Sequence, residues 1–94
     1  MSDQNDPQDE VLVRLSADEA IILFNLLSRW IEEEAATTPR PQNFENSSEC
    51  AVLHGILCIL EQQLSAPLSA DYRQLVQDAQ QRLAYRWDGT NLRG

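Results

Sequence analysis

Cys50, His54 and Cys58 recur at four-residue intervals. On a helix that spacing puts all three on one strip. Thiolate and imidazole are good zinc ligands, and an i, i+4 pair can share one ion. The two cysteines are eight residues apart, about 12 Å along a helix axis. One ion cannot take all three, and a disulfide between the two is excluded. The chain has no other Cys or His, so further ligands would have to be carboxylates. We therefore expect no metal site and no cofactor, but two small buried thiols and a histidine at a helix contact or the surface. Nucleophilic catalysis fares no better. A Cys–His dyad needs an exposed, activated sulfur, and these cysteines lie in the most apolar stretch of the chain. The three glycines, at 55, 89 and 94, build no phosphate loop. No catalytic residue is assigned, and the expectation is a protein that is not an enzyme.

The element carrying this strip is residues 49–64, ECAVLHGILCILEQQL. Apolar residues fall on nearly every side of it, and a helix apolar all round is normally buried all round. It is too short to span a bilayer and carries Glu49, His54 and Glu61 within it. It reads as the central helix of a small domain. Gly55 in mid-helix costs roughly 1 kcal/mol against Ala, which suggests a close helix crossing there.

The chain is expected to organise around that helix. Residues 1–10 are polar and acidic and read as a disordered tail. Residues 11–15, VLVRL, alternate in a β-like manner. One strand alone is unstable, so the segment should pack on the helices or pair with another chain. Ser16-Ala17-Asp18-Glu19 is a capping box, opening a helix over residues 17 to about 35. Its apolar stripe is Ala20, Leu23, Phe24, Leu27, Trp30 and Ile31. Ile22 and Leu26 lie off that stripe, giving more apolar width than one neighbour needs. Pro39 and Pro41 forbid helix in the following loop, whose Phe44 is expected to plug the core. Asn46 or Ser47 caps the second helix. Ser69 caps a third, over residues 70 to about 87, with Asp88-Gly89 as its stop. Short loops favour antiparallel neighbours. The expected fold is all-α: a three-helix up-down bundle with a short N-terminal β-like arm. A single helical domain would cover residues 11–89, and residues 90–94 would be a flexible tail.

Charge is the stronger functional cue. The formal net charge is −8, all seven basic residues are Arg, and the pI is about 4.3. Such a chain is repelled by nucleic acid and anionic membranes. Residues 1–35 hold nine acids and two Arg, net −7. Glu32, Glu33 and Glu34 end the first helix at the negative end of its dipole, the wrong end for local stability. They read either as a solvated helix end or as a patch for a basic partner. The third helix carries Arg73, Arg82 and Arg86 against Asp71 and Asp78. The last two arginines suit the C-terminal dipole of their own helix. The N-terminus has no apolar signal region. Cys50 and Cys58 are therefore expected to be reduced thiols in a cytoplasmic protein.

The order VLVRL, LSADEAIILFNLLSRW, Phe44 shortly before Glu49, LEQQL, Pro67 and DYRQLVQDAQQRL resembles a family of small acidic bacterial proteins of unassigned function. The resemblance runs over about residues 11–85, and its motifs are structural. In size, acidity and single-domain form the chain is also similar to toxin-immunity proteins. That likeness implies a basic protein partner such as a toxin.

Two functions follow as expectations. The first is a non-catalytic protein-binding module that recognises a basic protein, such as an immunity protein neutralising a bacterial toxin. Asp18, Glu19, Glu32, Glu33, Glu34 and Glu45 are its candidate contacts. The alternative is a small dimeric structural or regulatory protein without a toxin partner, a homodimer joined through Ile22 and Leu26.

Overall fold

A computed structural model describes residues 9–32 and 38–93. The first eight residues of the expected tail at 1–10, the acids Glu33 and Glu34, Ala35 and the terminal Gly94 lie outside them. The described residues are all-α, with α1 at Ala17–Ile31, α2 at Ser47–Gln63 and α3 at Tyr72–Ala84. Short 3-10 turns at Pro41–Asn43 and Ala66–Leu68 precede α2 and α3.

The capping box at the start of α1 is complete. Glu19 N–H donates to Ser16 Oγ at 3.1 Å, and Ser16 N–H donates to Glu19 Oε1 at 2.7 Å. Two of the donors a helix N-terminus leaves open are thereby satisfied. The helix stops at Ile31, four residues short of the expected end at 35, and Glu32 departs with ψ 127. Thr38 Oγ1 donates to the Trp30 carbonyl at 2.7 Å, satisfying an acceptor the next turn would have used. Acid at this end also opposes the dipole. Asn46 is the cap of α2, its side chain accepting from Ser48 N–H at 2.8 Å.

The third helix is shorter than expected at both ends. Ser69 Oγ takes the Asp71 N–H, and Ser69 O takes the Tyr72 N–H. The chain thus turns once more before α3 begins. Beyond Ala84, Arg86 N–H and Trp87 N–H reach the carbonyls three residues back. The last turn is a tightened one rather than α-helix.

The hub is α1, not the helix of residues 49–64. Phe24 and Leu27 of α1 pack with Leu57 and Leu60 of α2 in one cluster, and Ile21 packs with Val76 and Ala79 of α3 in another. Tyr72 joins both clusters and stands edge-on to Phe24, centroids 6.3 Å apart. Only Leu57 and Leu60 of α2 are buried, while Val52 is 60% exposed and Ile59 54%. An apolar composition on every side did not mean burial on every side. Gly55 marks no close crossing either, because a Cβ added there would meet nothing within 4 Å.

The paired residues show α1 and α3 running antiparallel, which corrects the expected up-down order, in which the first and third helices would be parallel. Asp18 faces Arg82, and Asn25 meets Tyr72. The extra apolar width of α1 thus serves two neighbours within the chain. Residues 11–15 contain no strand, and no strand occurs among the described residues.

Candidate functional site

The cysteine–histidine strip is on the surface. Cys50, His54 and Cys58 are all exposed, which corrects the expectation of buried thiols. Cys58 Sγ lies 3.8 Å from His54 Nδ1. Such an i, i+4 pair offers two of the four ligands that tetrahedral zinc takes. Among the described residues no group of three potential ligands comes together. Nor does any described helix have the length and apolarity to cross a membrane.

Two of the expected contact acids already face arginines. Arg82 Nε and one terminal nitrogen donate to the two carboxylate oxygens of Asp18, both at 2.7 Å. Arg86 donates to Glu19 Oε2 at 3.2 Å. The hydrogen bond from Arg82 holds the Asp18 carboxyl below its ordinary value and raises Arg82. Glu19 is lowered first by the Ser16 amide, then by the Ser16 hydroxyl and Arg86. Both pairs are largely solvent-exposed, so their worth is modest. The spacing of Arg82 and Arg86, one turn apart, matches the adjacent acids Asp18 and Glu19 of α1. A sequence reading that assigned those arginines to their own helix dipole missed this.

Of the remaining candidate acids, Glu33 and Glu34 lie outside the described residues. Glu32 follows the last residue of α1 and Glu45 precedes α2, both exposed. The backbone N–H of Glu45 donates to Glu49 Oε1 at 2.8 Å, which fixes Glu49 over the start of α2. From residue 41 to 71 the chain carries Glu45, Glu49, Glu61 and Asp71 and no Arg or Lys.

The C-terminal part of α1, the following loop and α2 line an open, almost wholly apolar groove of about 170 Å³. Leu27, Trp30 and Ile31 of α1 form one wall, and Phe44 and Leu53 the other. Cys50 and His54 stand at its edge. Phe44 is half-buried in this wall, so it borders a hollow rather than plugging the core. A shallower hollow on the far side of Phe44 and Leu53 reaches Glu49 and Val52. The groove escaped sequence reading because its walls come from three separate segments.

Ile22 and Leu26 are both half-buried within the single chain. Ile22 packs against the Ile21, Val76 and Ala79 cluster, at a shallow surface hollow it shares with Leu83.

No protein-family model, characterised protein or solved structure matches this chain.

Proposed function

We propose that the protein is a non-catalytic protein-binding module whose acidic surface takes a basic protein partner. The observation supporting this most is the one-sided charge of residues 41–71, four acids without a cation. Glu49 shares a shallow hollow with Val52, and both Val52 and Ile59 are exposed. An apolar centre with a charged rim is the usual make-up of a protein interface. A single sign of charge steers an oppositely charged protein toward it.

A bacterial toxin is the partner class we favour, the protein acting as its immunity factor. Toxins that cleave nucleic acid must bind phosphate, so they tend to be cationic. Glu32 and Glu45 are the foremost contacts, with Glu33 and Glu34 following Glu32 in sequence. Asp18 and Glu19 contribute less to the field, because each faces an arginine. The test is affinity capture from the native host, followed by reconstitution with the purified partner. A basic protein bound in fixed stoichiometry supports the reading. An acidic or neutral partner overturns it.

The second reading is a dimeric structural or regulatory protein. It is favoured by the exposure of Val11, Leu12 and Val13, at 70%, 87% and 76%.

A further inference from the structure

We infer that residues 11–15 of one copy dock in the groove of a second copy, so that two chains exchange arms. This goes beyond the basic-partner reading and does not depend on it.

The arm is a donor without an acceptor. Four of its five residues are large and apolar, and Leu15, the least exposed of them, is still 41% exposed. None of the backbone hydrogen bonds outside the helices, among the described residues, involves residues 11–15. Its one charged side chain, Arg14, is cationic. The groove between Trp30 and Leu53 is the matching acceptor. Its walls are apolar and Glu49 stands beside its far wall. Its volume of about 170 Å³ is near the ~150 Å³ that admits a benzene-sized body, enough for one leucine side chain. Side chains alternate along an extended segment, so an arm laid there can seat one apolar side chain while the adjacent Arg14 turns toward Glu49.

Reach decides that the acceptor belongs to another copy. Leu27 lies about 15 Å along the axis from Ala17, and Ile31 about 21 Å. Fully extended and measured from the same Ala17, residue 11 reaches at most about 21 Å, residue 12 about 18 Å and residue 13 about 14 Å. An arm folded back on its own helix brings at most its first two residues level with the groove, and Val13, Arg14 and Leu15 fall short of it. A second copy faces no such limit, and mutual exchange closes as a twofold dimer.

Sedimentation equilibrium over the micromolar range tests this with the full chain. We expect a dimer. Val13→Asp, Arg14→Glu and Glu49→Arg should each give monomer with helical circular dichroism retained. Combining Arg14→Glu with Glu49→Arg should restore the dimer. Cys50 edges the groove, whereas Cys58 lies two turns away on the same helix. Alkylation of Cys50 should therefore be several-fold slower in the dimer than in Val13→Asp, with Cys58 unchanged. The inference is overturned if the wild type is monomeric throughout. It is equally overturned if a dimer survives Val13→Asp, or if Cys50 labels as fast in the dimer as in that variant.

Discussion

Arg82 grips Asp18 through two near-parallel hydrogen bonds, Nε and a terminal nitrogen each 2.7 Å from a different carboxylate oxygen. This fork ties the C-terminal end of α3 to the first turn of α1, and Arg86 repeats the tie at Glu19. The planar fork fits a carboxylate in a way lysine cannot. We expect Arg82→Lys to lose most of the coupling measured between Arg82 and Asp18 in a double-mutant cycle, although its charge is kept. Full retention in the lysine variant would show that charge alone suffices.

Both carboxyls are lowered from ordinary values of 3.8 for Asp18 and 4.5 for Glu19. The unfolded chain therefore takes up protons first as pH falls. Their stabilisation is complete above those ordinary values and is lost as pH drops through the lowered ones. Urea melts at a series of acid pH values should show stability falling in that window. The fall should be shallower in Asp18→Asn combined with Glu19→Gln. An identical slope in the double variant would remove these pairs from the acid response.

The two sides of α2 should respond differently to truncation. Leu57 and Leu60 are 5% and 7% exposed, so Leu57→Ala or Leu60→Ala should cost about 2–5 kcal/mol. Val52→Ala and Ile59→Ala should stay within about 0.5 kcal/mol. Chemical denaturation distinguishes the patterns, and equal losses on both sides would mean α2 is enclosed.

Much of this fold was legible in the sequence. The capping box at Ser16 and Glu19, the cap at Asn46 and the existence of three helices follow from local chemistry, which sequence states directly. Centrality did not follow. Hydrophobic composition made residues 49–64 look enclosed, yet burial depends on how many neighbours a helix has, and α1 has two. The spare width of α1 was visible at Ile22 and Leu26, but α3 takes up part of it. The groove was illegible because Trp30, Phe44 and Leu53 meet only after the chain has turned back.

Gly55 gives a prediction of opposite sign. It sits exposed within α2 with open space where a Cβ would go. Gly55→Ala should raise stability by about 0.5–1 kcal/mol, the difference in helix propensity. A thermal melt checks this, and a lowered midpoint would indicate a tight contact at that position.

The thiol strip gives a further check. Two ligands from Cys58 and His54 are too few for a closed tetrahedral site. Elemental analysis of the purified protein should find no stoichiometric zinc, and Cys50→Ser with Cys58→Ala should produce no metal-dependent change. One zinc per chain would contradict both.

The proposed function is tested most directly by isothermal titration of the purified protein with the protein it captures from its native host, at low and high salt. We expect a basic partner, saturable binding that weakens as salt rises, and a clear loss of affinity when Glu32 and Glu45 are both replaced by Gln. A partner without excess positive charge, or an affinity indifferent both to salt and to those two substitutions, would contradict an acidic recognition surface.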